Sequence, residues 1–147
     1  MIRSAAALII LSVANGGADD WPAYGKDPAR STVTDESLTF PLTEAWVYTS
    51  AQPPSPAWPE PGVEMSRVDF DKAFQPVVAE GLLFFGSSAD DTVQALDVAN
   101  GHMRWRFTAG GPIRFAPHLK AGRCFFAADD GTNGRELWKV EAVWPPR

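Results

Sequence analysis

Apolar and polar residues alternate along four short segments in the middle of the chain. A period of two predicts β-strands, and glycine and proline interrupt every candidate helical stripe. Within Arg104-Trp105-Arg106-Phe107 the aromatic residues share one face and the arginines the other. We therefore expect Trp105 and Phe107 to point to the core. The predicted strands cover residues 74–79, 82–87, 92–98 and 103–108.

Turn residues separate these strands, namely Glu80-Gly81, Asp90-Asp91 and Asn100-Gly101. An Asn-Gly pair between apolar runs favours a type I′ hairpin, because both residues tolerate the positive φ that this turn requires. The segment therefore predicts an antiparallel four-stranded sheet with a tight hairpin at Asn100-Gly101.

The same pattern recurs further along the chain. Phe74-Gln75-Pro76, Gly81 and Phe84-Phe85 are matched 41 positions later by Phe115-Ala116-Pro117, Gly122 and Phe125-Phe126. The Asn100–Trp105 stretch is matched only 33 positions later, by Asn133 to Trp138, so 41 − 33 = 8 residues are missing from the second copy. The missing residues correspond to 91–98, which form the third strand of the first copy.

Repeats of this length, built from short strands and tight turns, are typical of propellers and solenoids. The sequence therefore predicts an all-β fold with a first unit at 74–114 and an incomplete second unit at 115–142, which lacks one strand. Trp138 of the second unit would take the place of Trp105.

A third tryptophan lies upstream, in Trp46-Val47-Tyr48. Burying one indole removes about 150 to 250 Å² from water, so one tryptophan per unit would anchor neighbouring sheets to each other. We assign residues 19–50 to an N-terminal lead-in that ends in a first Trp strand. The polar, turn-rich part at 20–30 should lie against a sheet edge.

Residues 51–73 form the next segment, which carries Pro53, Pro54, Pro56, Pro59 and Pro61. Prolines at this density favour an extended surface loop over regular structure. A partner-docking segment carrying Trp58 is the alternative.

The first residues predict an export signal. Met1-Ile2-Arg3 supplies the early positive charge, residues 4–14 are small and aliphatic, and small residues precede a cut ahead of Asp19. We therefore expect a signal helix at 1–18 and a periplasmic or secreted protein. The apolar run is shorter than the roughly 20 residues of a membrane span, and no later segment is long and apolar enough for one.

Composition narrows the partners. The net charge of −5 argues against nucleic acid, which is normally bound with a basic excess. Arg104, Arg106 and Arg114 are expected on a solvated face. The single cysteine, Cys124, excludes an internal disulfide and is expected to be buried.

Candidate chemistry is sparse, and no catalytic or metal-binding residue is predicted. Asp90-Asp91 and Asp129-Asp130-Gly131 suit turn caps better than a calcium loop, which needs at least about six oxygen ligands. His102 and His118 lack zinc-ligand spacing. Ser87-Ser88 has no strand-turn-helix elbow that would make a nucleophile.

The stretch from Val78 to Phe107 resembles the repeat of the pyrroloquinoline-quinone (PQQ)-binding-like β-propellers. The resemblance is carried by Leu96-Asp97-Val98-Ala99-Asn100-Gly101-His102-Met103-Arg104-Trp105, which combines an aliphatic-Asp stretch, a turn ending in glycine and a docking tryptophan. Asp20-Trp21-Pro22 is similar to the start of exported members. The resemblance implies a partial propeller of about two four-stranded blades.

Within that family, quinoprotein dehydrogenases bind PQQ with calcium in the funnel of a complete propeller, and scaffold members bind other proteins. This chain departs from both, because Cys124 has no adjacent cysteine and Asp19 stands where a lipoprotein has cysteine. No cofactor-binding residue can be carried over. The tail from Phe125 to Lys139 also resembles the Glu-Leu-Trp repeats of some large secreted proteins.

The number of units decides the expected function. Propellers close with about four to eight blades, whereas the 147 − 18 = 129 residues after the signal hold about three units of 41. Open edges would remain, and such edges pair with other chains. We expect a binding or scaffold module without catalysis, whose partners are other proteins or further blades. A fragment of a PQQ-dependent oxidoreductase and a non-functional truncated product are the alternatives.

Overall fold

The computed structural model describes residues 19–57, 71–129 and the backbone of the strand at 135–140. The predicted signal helix, Trp58 and the tail after residue 140 lie outside the described residues. The described part is all-β and contains no helix. Accordingly, it has no helical segment with the length and hydropathy needed to span a membrane.

The first sheet consists of four antiparallel strands in the order β1-β2-β3-β4. Its strands lie where the alternation predicts them, although β1 begins three residues late and β3 ends one residue early. Their bounds are β1 Val77–Ala79, β2 Leu82–Ser87, β3 Thr92–Asp97 and β4 Met103–Thr108.

The second sheet has three described strands in the order β5-β6-β7, with bounds β5 His118–Lys120, β6 Arg123–Asp129 and β7 Arg135–Val140. β7 pairs directly with β6, and Trp138 lies opposite Phe126. Trp105 instead lies opposite Ala95 of β3, one strand further out. By position β7 therefore corresponds to β3, although its sequence matches β4, because a short hairpin must place the next strand beside the last.

Two-residue turns join the first two strands of each sheet. Glu80-Gly81 has φ angles of 51° and 77°, and Ala121-Gly122 has 49° and 68°, as a type I′ turn requires. These turns are 41 residues apart, so the structure repeats with the sequence. The type I′ prediction at Asn100-Gly101 is wrong, because only the glycine has positive φ and a longer loop closes with Asp97 N donating to His102 O.

A shared core joins the two sheets face to face. The ring of Phe107 in β4 packs on Phe126 in β6 with centroids 5.6 Å apart. Trp105 and Phe107 are half-buried against this core while Arg104 and Arg106 are exposed, so the predicted facing of β4 is confirmed. The buried core residues are Val77, Ala79, Leu82, Phe84, Val93, Ala95, Ile113, Leu119, Cys124, Phe126 and Ala128.

The two sheets stack head to tail. Phe84 lies in the shared core, but its repeat equivalent Phe125 does not. Conversely Phe126 lies in the core, and its equivalent Phe85 faces the other way. A two-fold axis would place equivalent residues together in the interface. The sheets are thus successive members of one stack, each presenting a different face to the next.

The lead-in lies against the edge strands β1 and β5 of the two sheets, and its place at a sheet edge is as predicted. Trp21 and Val78 exchange backbone hydrogen bonds of 2.7 and 2.8 Å, and Leu119 N donates to Pro22 O at 2.7 Å. The carboxylate of Asp20 accepts a hydrogen bond from the Glu80 backbone N–H. Residues 20–22 therefore cover β1 and β5 together.

Candidate functional site

Trp46 docks on the turn between β3 and β4. Its indole Nε1 donates to Val98 O at 2.8 Å, and a Cβ added to Gly101 would lie 2.7 Å from the indole ring. Gly101 also has φ of +72°, so both the ring and the backbone conformation require glycine. Residues 46–48 are not assigned as a strand, which corrects the predicted first Trp strand, yet Val47 points to solvent between two half-buried aromatic residues.

Tyr48 lies on the outer face of the first sheet, opposite the shared core. Its ring is 5.4 Å from Phe85, which mirrors the 5.6 Å between Phe107 and Phe126. Because Phe85 and Phe126 are repeat equivalents, residues 46–48 sit on the first sheet as residues 105–107 sit on the second. Residues 46–48 therefore contact the first sheet in the way that β4 contacts the second.

The two docking tryptophans differ in one contact. The Trp105 ring packs edge-on against Phe84 at 5.7 Å, but its buried Nε1 has no hydrogen-bond partner among the described residues. The acceptor that Trp46 finds is the carbonyl in the turn after a third strand. The described part of the second sheet ends with its third strand, so the turn carbonyl that would correspond to Val98 O lies outside the described residues.

A chain of polar contacts runs across the outer face of the first sheet. Tyr48 OH donates to Gln94 Oε1 at 2.8 Å, and Gln94 Nε2 donates to Thr92 Oγ1 at 3.0 Å. Thr92 Oγ1 donates to Asp90 Oδ1 at 2.8 Å, and Asp90 Oδ2 accepts from Arg106 at 2.6 Å. Gln94 is almost fully buried, so these bonds supply the partners that a buried amide requires.

The Asp90-Asp91 turn is held by hydrogen bonds and backbone conformation. Asp90 caps it through Thr92, as predicted for a turn aspartate, and Asp91 adopts a left-handed φ of 57°. Burial raises the pKa of the Asp91 carboxyl, and the neighbouring Asp90 charge raises it further.

The outer edge of β4 is open within residues 19–57 and 71–129. Ala109 N donates to Asp91 O, and inward and outward backbone groups alternate along an antiparallel strand. Arg106 and Thr108 therefore direct their N–H and C=O groups away from β3. Met103 and the side chains of Arg104 and Arg106 are each almost half exposed along this edge.

Arg114 is buried between two carboxylates, which corrects its predicted place on a solvated face. Its Nε lies 2.7 Å from Asp71 Oδ2, and its Nη1 lies 3.6 Å from Asp129 Oδ2. All three side chains are at most 13% exposed. Asp71 also accepts from the Ala57 backbone N–H. This cluster ties Ala57 and Asp71 of the proline-rich segment to the connection between the sheets.

The second sheet carries a basic outer face. His118, Lys120 and Arg123 are exposed there, around a half-buried Phe125. The equivalent positions of the first sheet hold Val77, Ala79, Leu82 and Phe84, which are buried in the shared core. The same face of the repeat is thus apolar in one sheet and cationic in the other.

The remaining candidate residues have structural surroundings. Cys124 is fully buried, as predicted, and burial raises the pKa of its thiol to about 12. Ser88 Oγ donates to Ser55 O, and His102 is exposed next to the β3–β4 turn. The described residues contain no group of three or more His, Cys, Asp or Glu side chains placed to hold a metal ion.

Sequence reasoning missed three residues of these surfaces. The role of Tyr48 was readable from its spacing to Trp46, which matches that of Phe107 to Trp105. Asp71 and Gln94 carried no signal, because their partners are 43 and 46 residues away in the chain.

Comparisons with known proteins assign no family. No protein-family model matches the chain, and no curated protein matches it. Among solved structures, the crystal structure of the computationally designed Ika8 protein is similar to 49% of this chain at 16% identity, with a TM-score of 0.36. The match spans 22% of that protein's chain, and a likeness this partial defines neither a family nor an activity.

Proposed function

We propose that the chain is an exported, partial β-propeller of the PQQ-binding-like type that acts as a binding or scaffold module without catalysis. Its binding site is the outer edge of β4, which takes up an extended strand from another protein. The single observation that carries this proposal is the row of outward backbone groups at Arg106 and Thr108, which have no partner among the described residues.

The side chains of β4 define the strand that would fit. Directly opposed residues in an antiparallel pair share a face of the sheet. Residues opposite Arg104 and Arg106 would therefore be carboxylates, and residues opposite Trp105 and Phe107 would be apolar. A guanidinium has five N–H donors, so the contacts of these arginines with Asp97 and Asp90 leave donors for a second carboxylate.

The test is a synthetic extended peptide in which glutamate alternates with valine, measured by fluorescence anisotropy. We expect saturable binding to the wild type and to Thr108→Ala, and at least tenfold weaker binding to Thr108→Pro, which removes an outward N–H but keeps the pairing with β3. Equal binding to the two variants, or none to the wild type, would refute the β4 site.

A second experiment separates this function from that of a quinoprotein oxidoreductase. Titration of the folded protein with the quinone and calcium, followed by absorbance and tryptophan fluorescence, should be flat. A saturable change would replace the scaffold function with quinone binding.

A further inference from the structure

The head-to-tail stacking within the chain leaves two different faces at its ends. The face that the first sheet turns to the second recurs on the second sheet, where no sheet of the described chain covers it. We call this the tail face, formed by His118, Lys120, Arg123, Phe125 and Ala127. The second sheet contacts the first through Leu119, Cys124 and Phe126. Their repeat equivalents Val78, Leu83 and Phe85 lie on the outer face of the first sheet, which we call the head face.

The head face is only partly covered by its own chain. Phe85 is buried beneath Tyr48 and Phe74, and Gln94 is buried beneath Tyr48. Val78 and Leu83, directly paired on β1 and β2, stay half-buried. The adjoining corner is acidic, because Asp20 and Glu80 are exposed and joined at the β1–β2 turn. The β1–β2 corner of the head face thus carries charge opposite to that of the tail face, whereas Arg106 lies at the β4 side of the head face.

The numbers of strands at the two ends of the chain are also complementary. Residues 46–48 occupy the place of a fourth strand whose sheet is absent from the described residues, while the described second sheet has three strands. Suppose that the second sheet of one copy lay over the head face of another. Residues 46–48 of the lower copy would then lie beside β7 of the upper copy. Each sheet would then have four strands.

We propose that copies of this chain assemble head to tail, the tail face of one packing on the head face of the next. Phe125 and Ala127 cover Val78 and Leu83, and residues 46–48 complete the second sheet of the neighbouring copy. This interface is separate from the β4 edge and does not depend on it. A heterologous contact of this kind closes into a ring when the rotation permits, and two to four copies supply the roughly four to eight sheets of a propeller.

The basic residues of the tail face would meet the acidic β1–β2 turn of the next copy at one corner of the interface. Within the chain, Ala79 and Leu82 of the first sheet belong to the core that also contains Leu119 of the second. One step further along the stack, Lys120 and Arg123 are the equivalents of Ala79 and Leu82. They would therefore lie beside the Glu80 turn of the next copy. Opposed charges at such a rim raise the association rate and fix the register.

The test is the association state of purified mature protein by sedimentation and native mass spectrometry. We expect discrete species of two to four copies for the wild type. Lys120→Glu and Glu80→Lys should each raise the dissociation constant at least tenfold, because like charges then face each other. An equimolar mixture of the two variants should recover association to within about threefold, because each supplies the charge that the other lacks. Circular dichroism confirms that each variant is folded.

Arg30→Glu is the matched control, since this arginine is exposed in the lead-in and belongs to neither sheet; it should leave the assembly unchanged. A wild type that stays monomeric up to about 1 mM would overturn the proposal, as would a mixture that associates no better than its components. If Thr108→Pro dissolved the assembly and the charge reversals did not, the contact would be at the β4 edge. Head-to-tail stacking would then be wrong and the proposed function would stand.

Discussion

Among the described residues, the first sheet is covered on both faces, whereas the second is covered on one. In the first sheet every residue from Thr92 to Leu96 is at most 2% exposed, because the second sheet lies on one side and residues 46–57 on the other. In the second sheet Cys124, Phe126 and Ala128 are buried, while Arg123 and Phe125 on the opposite face are not.

The contrast shows what one repeat contributes and what its neighbour must supply. A single sheet of this kind cannot bury a face by itself. Each face is buried only where another unit stacks on it. Trp46 reaches a carbonyl and a glycine of the first sheet, but the indole N–H of Trp105 finds no acceptor within the part of the chain that the structure describes. Docking therefore depends on the turn after the third strand as much as on the tryptophan.

The largest effect is expected where the covering segment of the first sheet is tied down. Arg114→Ala would remove the guanidinium from the nearly buried carboxylates of Asp71 and Asp129 and should lower the free energy of unfolding by about 3–5 kcal/mol. Arg106→Ala, at a pair whose arginine is 45% exposed, should cost at most about 1 kcal/mol. Urea denaturation measures both. Equal losses would mean that the Arg114 cluster is not the buried tie described above.

Docking of Trp46 on the first sheet can be broken through its glycine. Gly101→Ala must strain a φ of +72° and displace the indole, so we expect a loss of about 2–4 kcal/mol. Gly81→Ala has a similar φ of +77° but open space at the added Cβ, and should lose only about 1–2 kcal/mol. Thermal unfolding of the two variants isolates the ring contact, and identical melting temperatures would contradict it.

The comparison of the two tryptophans is sharpened by removing the indole N–H from each. Trp46→Phe loses the bond to Val98 O as well as ring volume, whereas Trp105→Phe loses ring volume but no hydrogen bond to any described residue. The bond should add about 0.5–1.5 kcal/mol to the cost of Trp46→Phe. Hydrogen exchange at the two indole N–H groups gives an independent check, and comparable protection of both would show that Trp105 has found an acceptor.

The Cys124 thiol reports on the buried face of the second sheet. Its ionisation should change the free energy of unfolding only at alkaline pH. A pKa of about 12 against an ordinary 9.0 should slow labelling of Cys124 by a disulfide reagent at pH 8 about a thousandfold relative to the unfolded chain. The raised pKa of the thiol contributes to the free energy of unfolding. This contribution is fully present below pH 9 and is lost as the pH rises toward 12. Cys124→Ala should remove that alkaline decline in the free energy of unfolding. Rapid labelling of folded protein would place the thiol at the surface.

The strands of the first sheet were predictable because their two-residue period, turn glycines and aromatic facing are all local. The same holds for the repeat at 41 residues and for the burial of Cys124 beside Phe125-Phe126. The error at Arg114 has a physical cause. Alternation along a segment shows which residues share a face, but not whether Asp71 and Asp129, distant in the chain, come to cover it.

The place of the last strand shows the same limit. The sequence of Arg135–Val140 matches β4, yet it pairs where β3 pairs in the first sheet, because connection length and not residue identity decides which neighbour a hairpin reaches. The sequence by itself determined the all-β class, the strand positions, the repeat and the tryptophan spacing, all of which depend on contacts within a few residues. Tertiary structure decided which faces are covered, because burial depends on residues 46–57 and on the second sheet, which come from distant parts of the chain.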